Sequence, residues 1–210
     1  AARQAGFKYE PANAIGAVLD YAAHLGKKGS RGVAERTCRF VMKNTDDPGR
    51  LATRAAALAI LADVRGQAAL PELIAAVDHA DKAYRNAALV RAERLGGPAA
   101  VNRWVAKART VDAERRADII AMLARQGHPQ ALPFIRESIA SPEPAVALAS
   151  ATALAHLEKA KAVPDLLKLM ARANADTAGP VADVLLWTID EAHLEPLAAM
   201  LDTLQPAAKA

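Results

Sequence analysis

Apolar residues recur along this chain at helical spacing, and the helical pattern itself recurs every 31 residues. Its clearest marker is a short pattern found five times: Ala69-Leu70-Pro71-Glu72-Leu73, Ala100-Val101-Asn102-Arg103-Trp104, Ala131-Leu132-Pro133-Phe134-Ile135, Ala162-Val163-Pro164-Asp165-Leu166 and His193-Leu194-Glu195-Pro196-Leu197. The third copy shows what surrounds the marker. Asp112 precedes a face of Ala117, Ile120, Leu123 and Ala124, and Gly127 ends it. Leu132, Ile135 and Ile139 then mark a second face, which stops near Ser141-Pro142. Each copy therefore predicts two antiparallel helices, A and B, joined by a short loop.

Adding 31 repeatedly carries one apolar site onto the next. Helix A holds Leu58, Leu89, Ile120 and Ala151 in one column and Leu61, Ala92, Leu123 and Leu154 in another. Helix B holds Leu70, Val101, Leu132, Val163 and Leu194, then Leu73, Trp104, Ile135, Leu166 and Leu197, then Val77, Ala108, Ile139, Met170 and Leu201. Columns that stay apolar while intervening positions vary are what a stacked, continuous core requires. Asp46-Asp47-Pro48, Asp81, Asp112 and Ser141-Pro142 supply helix starts, and Gly66, Gly96-Gly97 and Gly127 mark the ends of A helices. The prediction is an all-α chain, a right-handed α-solenoid (alpha-alpha superhelix) of about six antiparallel helix pairs.

The two ends depart from the rule. Residues 1–46 read as an irregular capping helix pair, with Ala17, Val18, Tyr21, Ala22 and Leu25 on one helix over 12–25. Val33, Phe40 and Val41 mark the second, over 33–43. The connector Gly26-Lys27-Lys28-Gly29-Ser30 reads as longer and more basic than the others. Residues 47–204 carry the repeats. The last A helix is expected to begin late, after Thr177-Ala178-Gly179-Pro180, and to run through Val184, Leu185 and Trp187; residues 205–210 form a tail expected to fray.

Units of this length, with Asp81 four residues before Arg85, Asp112 before Arg116 and the ending Leu95-Gly96, resemble HEAT repeats, of the short bacterial kind also found in phycobilin lyases. The resemblance spans roughly residues 47–204 and implies an ARM/HEAT-like fold. It implies that Arg54, Arg85 and Arg116, which share a column, bridge neighbouring turns with loop carboxylates. Ala147 ends that ladder. It also implies that helix B lines the concave side.

Composition narrows the function classes without choosing one. The chain is 52% hydrophobic but only 4% aromatic, so its apolar content is mostly small and aliphatic. Twenty-seven basic against 23 acidic residues leave a net charge of +4 with no basic run, so weak attraction to polyanions is allowed but not indicated. Cys38 stands alone, which excludes an intrachain disulfide. No apolar stretch approaches the roughly 20 residues of a membrane span. The first residues carry neither a start Met nor a signal-peptide core, as expected for a processed chain or an excised fragment. A soluble chain of either cytoplasm or periplasm fits these facts.

Catalytic chemistry finds no constellation. His24, His79, His128, His156 and His193 are never three or four residues apart, so no metal is expected; His128 and His156, in adjacent units, read as solvated. There is no nucleophile elbow and no phosphate-binding glycine loop. Asp190, Glu191 and Glu195 sit at a wet turn. No cofactor is called for. Trp104 takes the place of Leu or Ile in its column and reads as core. Phe134 stands in the column of Glu72, Arg103, Asp165 and Pro196, while Arg136 stands where Ile74, Val105 and Leu167 do. Two readings stand there: an aromatic exposed to a ligand, or an exchange of roles through a small helix rotation.

The outward residues of helix B form the candidate groove: Glu72, Ala75, Ala76 and His79; Arg103, Lys107 and Thr110; Phe134, Glu137 and Ser138; Asp165, Lys168 and Arg172. Charges of both signs alternate there, whereas a phosphate-tracking groove shows one sign with stacking aromatics. The leading expectation is a non-catalytic interaction module or scaffold holding a protein, a peptide or another domain of its parent chain. One alternative is a nucleic-acid-binding HEAT-like protein of the DNA glycosylase kind, with Trp187 and Asp183 or Asp190 as the working residues. Another, resting on fold resemblance alone, is a tetrapyrrole lyase or chaperone.

Overall fold

The computed structural model describes residues 14–190 and Ala198, and no strand occurs among them. The chain forms α1 (Ala14–Lys27), α2 (Arg31–Lys43), α3 (Leu51–Arg65), α4 (Leu70–Ala76), α5 (Lys82–Ala92), α6 (Pro98–Ala108), α7 (Ala113–Gln126), α8 (Leu132–Ser138), α9 (Pro144–Glu158), α10 (Val163–Ala171) and α11 (Ala175–Leu186). The fold is all-α and follows the order of a solenoid. Connections of a few residues make consecutive helices antiparallel. The marker His193–Leu197 and the tail 205–210 lie outside the described residues.

The helices group into two compact units that divide between Leu95 and Gly96. In the first, α1 lies on α2 and α3, and α3 lies on α5. In the second, α7 lies on α9 and α9 on α11, with α8 and α10 against α9. Within each unit, A helix thus meets A helix from one repeat to the next, the contact that lets neighbours share apolar surface.

The columns are the core. Leu58, Leu61, Leu89 and Ala92 are buried in the first unit; Ile120, Leu123, Ala151 and Leu154 are buried in the second. Leu73, Trp104, Ile135 and Leu166 are fully buried from the B side. Each large member contributes about 1.5–3 kcal/mol on leaving water. The alanine that opens the marker recurs for a steric reason. Ala69, Ala100, Ala131 and Ala162 are all wholly enclosed, at the start of helix B or in the turn leading to it, where a longer side chain has no room.

Helix starts are set by side-chain oxygens. Asp81 accepts from the Tyr84 amide at 2.8 Å and Asp112 from the Arg115 amide at 2.9 Å. Gly127 closes α7 in the left-handed conformation, φ 67°, and its amide donates to Leu123 and Ala124.

Several local expectations are corrected. The first helix extends to Lys27 and the second begins at Arg31, so their connector is only three residues and not a long one. The apolar stripes are rotated from those expected. Helix α1 buries Ile15, Leu19 and Ala22, and α2 buries Ala34, Cys38 and Val41, while Ala17, Tyr21, Val33 and Phe40 are exposed. Small residues take the inside here because both helices share one tight core with Ala57 and Leu61 of α3. Helix α9 starts at Pro144, not Pro142, with Glu143 in extended conformation before it. The last A helix starts early. Asn174 accepts from the Asp176 and Thr177 amides while the Thr177 hydroxyl accepts from the Asn174 amide, and this capping box places Thr177-Ala178-Gly179-Pro180 inside α11. Helix α11 then stops at Leu186, with Trp187 capping it.

The arginine column bonds to loop carbonyls as well as to loop carboxylates. Arg85 is almost wholly buried and donates to the carbonyls of His79 and Ala80 at 3.1 and 2.8 Å. Arg116 donates to the carbonyls of Ala108 and Val111 and lies 3.6 Å from Glu143. Arg54 does pair with Asp46, and it donates to the Tyr84 hydroxyl at 3.2 Å. Loop carbonyls accept here because a tight turn leaves them without helical partners.

Candidate functional site

Each unit presents its B helices as a separate stretch of the candidate face. In the first unit, Glu72 sits in the opening turn of α4 and accepts from Arg65 Nη1 at 2.7 Å and Arg39 Nη2 at 2.8 Å. Glu35 joins the set through Arg39 and lies 3.6 Å from Arg65 Nε. This four-member cluster ties α2, α3 and α4 together, so Glu72 has a structural partner set already. His79, just beyond α4, accepts the Asp81 amide at Nδ1, and its ring lies 4.8 Å from that of Tyr84. Ala75 is exposed, but Ala76 is buried, which corrects its outward assignment.

The second unit carries the more developed surface. Arg103 is exposed on α6 and Lys107 is half-buried one turn later; Thr110 is exposed and donates to the Lys107 carbonyl. Arg109 follows α6 and donates to both carboxylate oxygens of Glu137 on α8, at 2.9 and 2.6 Å. Its guanidinium lies 5.3 Å over the centre of the Phe134 ring. These two donated bonds hold the Glu137 carboxyl below the ordinary carboxylate range. A planar guanidinium fixed at both ends this way is oriented before any partner arrives.

Phe134 is buried and Arg136 is exposed, so the exchange of roles is the arrangement found. Ser138 is buried as well, its hydroxyl donating to the Phe134 carbonyl at 2.8 Å, a second correction to the outward set. The rotation that turns Phe134 inward also turns Arg136 outward, where it pairs with Glu158 and reaches Asp165 of α10 at 3.3 Å. Lys168 lies 3.6 Å from the same Asp165. Arg172 reaches back to the carbonyls of Ile139 and Ala140 at the end of α8. Beside the Arg109–Glu137 pair a cavity of about 360 Å³ opens, edged by Phe134, Arg116 and Ser141.

Arg109 and Arg136 were absent from the sequence-based set, although they organise this surface. A signal for Arg109 was present. Arg109–Glu137, Asn102–Gln130 and Asp63–Arg91 are each separated by 28 positions, one helical turn short of the 31-residue period. Complementary residues at that offset mark side chains that touch across adjacent repeats.

Other candidates are dispersed. His128 accepts the Gln130 amide in its own turn, and His156 is exposed on α9. No cluster of three metal-ligating side chains occurs among the described residues. Cys38 is enclosed by α1, α2 and α3, and burial pushes its thiol up to about 11, which keeps it an unreactive thiol. Trp187 is 56% exposed, and Asp183 and Asp190 are exposed. Glu191, His193 and Glu195 lie outside the described residues. No described helix is long and apolar enough to cross a membrane.

Residues 101–185 match the family model for HEAT repeats, and that match does not single out the phycobilin-lyase kind. No curated protein and no solved structure matches the chain. Helix pairs recurring at a fixed period, apolar columns buried between them and this match together identify residues 101–185 as HEAT repeats.

Proposed function

We propose that the chain is a non-catalytic interaction module that takes a protein partner, or another domain of its parent chain, on its B-helix face. The observation that carries this reading is the surface formed by α6, α8 and α10. There Arg109, Glu137, Arg136, Asp165 and Lys168 stand as pre-oriented charges of both signs beside a cavity. A partner with complementary charges finds both donors and acceptors in fixed positions, which favours specificity and capture rate over raw affinity. A nucleic-acid backbone would instead meet the carboxylates of Glu137 and Asp165.

The glycosylase-like alternative needs an acid beside its aromatic. Trp187 borders a cavity among whose described lining residues there is no carboxylate, so no observation favours that chemistry. No observation favours a tetrapyrrole over any other apolar ligand.

The test is charge reversal on the proposed face. Arg109→Glu with Arg136→Glu is expected to leave the helical signal intact and to abolish co-purification of a discrete protein from the producing cells. The unaltered chain is expected to pass a heparin column at low salt without retention. Salt-dependent retention there, or a partner indifferent to the double reversal, overturns the reading.

A further inference from the structure

Helix α9 carries no charged residue from Pro144 through Ala155. Its register partners on α7 are Glu114, Asp118 and Arg125, and on α9 these become Ala145, Ala149 and His156. A surface helix keeps one polar side for water; a helix apolar all round is normally covered. The inner side of α9 is covered by its own unit, with Val146, Ala151 and Leu154 enclosed. On its outer side Ala145, Thr152 and His156 are exposed and Leu148 and Ala149 half-buried.

That outer side is the floor of a cavity of about 630 Å³. Leu148, Ala149 and Thr152 form the floor, Ala121 of α7 one wall and the exposed Trp187 the other. From Ala145 to His156 the floor runs three helical turns, about 16 Å. Small side chains along it allow a second helix to approach closely.

The ends of the groove differ in charge. Arg125 and His156 border one end, at the C-terminal turns of α7 and α9. Glu114, on the same stripe of α7 as Ala121 and Arg125, marks the other. A helix laid antiparallel to α7 and α9 brings its positive N-terminus to their negative C-terminal ends. Its acidic first turn then meets Arg125 and its basic last turn meets Glu114, the charge order helices ordinarily carry.

The geometry points to a docking groove on the A helices of the second unit for one amphipathic helix of a partner protein. That helix presents apolar side chains at i, i+3 or i+4, and i+7, carries acidic residues in its first turn and basic residues in its last, and lies antiparallel to α9. This is a different face from the one proposed above, and the two are separable by experiment.

The probe is a pair of hydrocarbon-stapled helical peptides of about 14 residues with identical composition. One has Glu in the first turn, Leu at the three anchor positions and Lys in the last turn; the other has Glu and Lys exchanged. Anisotropy of the labelled peptide and the emission of Trp187 report binding to the full chain, with buried Trp104 as a constant background. The first peptide is expected to bind about fivefold or more tighter than the second and to shift Trp187 emission to the blue. Thr152→Arg, at an exposed helix position, is expected to weaken it about tenfold while leaving the helical signal unchanged, and Trp187→Ala to weaken it several-fold. Arg103→Glu, on the B-helix face, leaves binding unaltered.

Equal binding of the two peptides, no saturable binding up to about 1 mM, or Thr152→Arg binding like the original chain overturns the proposal. Concentration-dependent self-association that Thr152→Arg abolishes overturns it too, by assigning the groove to a second copy of the chain.

Discussion

Lys159 occupies a backbone position that a lysine tolerates poorly. It ends α9 with φ 52° and ψ −132°; three periods earlier Gly66 ends α3 with φ 57° and ψ −134°. Both amides donate to the carbonyl four residues back, Ala155 in one case and Ala62 in the other. The turn is therefore the same, and one copy carries a Cβ in a region that suits glycine alone. Such strain costs about 1–3 kcal/mol. Glycine in its place loses more freedom on folding, at about 0.5–1 kcal/mol. The balance predicts that Lys159→Gly stabilises the chain by about 1 kcal/mol, which raises Tm by about 2–4 °C for a chain of this length.

The reverse change is a control on the mechanism. A Cβ built on Gly66 meets nothing within 4 Å, so Gly66→Ala acquires backbone strain and no clash, and it should lose about the same amount. Thermal melts followed by far-ultraviolet circular dichroism measure both. A Lys159→Gly variant that melts lower than the original chain, with Gly66→Ala unchanged, refutes the reasoning: the turn would then be held by side-chain contacts of Lys159 and not opposed by its backbone.

Further outcomes follow from single residues. Trp104 is fully enclosed, and Trp104→Ala should cost about 3–5 kcal/mol in urea unfolding. The Cys38 thiol should resist alkylation near pH 8 in the folded chain and react on unfolding. Burial disfavours its thiolate only in the folded state, so stability should be unaffected below pH about 9 and fall as pH climbs toward 11; Cys38→Ala removes that fall. The lowered Glu137 carboxyl has the opposite sign. The Arg109–Glu137 contribution is present above the ordinary carboxylate range and lost in acid, so the double change Arg109→Gln with Glu137→Gln should flatten the acid limb of the stability profile while barely moving Tm at neutral pH.

Repeat columns were legible because a stacked core must be apolar at every period, and Leu58, Leu89, Ile120 and Ala151 satisfy that in the structure as in the sequence. The terminal helices were harder for a physical reason. Helices α1 and α2 bury Ala22, Ala34 and Cys38 and expose Tyr21 and Phe40, so the largest apolar residues misreport the inward side. Helix α11 was misplaced because Pro180 read as a start, whereas the cap belongs to Asn174 and Thr177. On the B-helix face, mixed charge was legible residue by residue, but pairing was not. Glu72 looks like a groove residue in sequence and is held by Arg39 and Arg65; Arg109, just past α6, organises Glu137 and Phe134. Side chains that meet across repeats sit about a turn away from register, and column-by-column reading does not bring them together.

The most direct test of the functional account is site-specific photocrosslinking in the cells that make the protein. A photoreactive amino acid replaces Lys168 on the B-helix face in one variant and Asn86, exposed on α5, in another. The account predicts a discrete protein adduct from position 168 that disappears when Arg109 and Arg136 are reversed, and none from position 86. Nucleic-acid adducts at position 168, or the same adduct from both positions, contradict it.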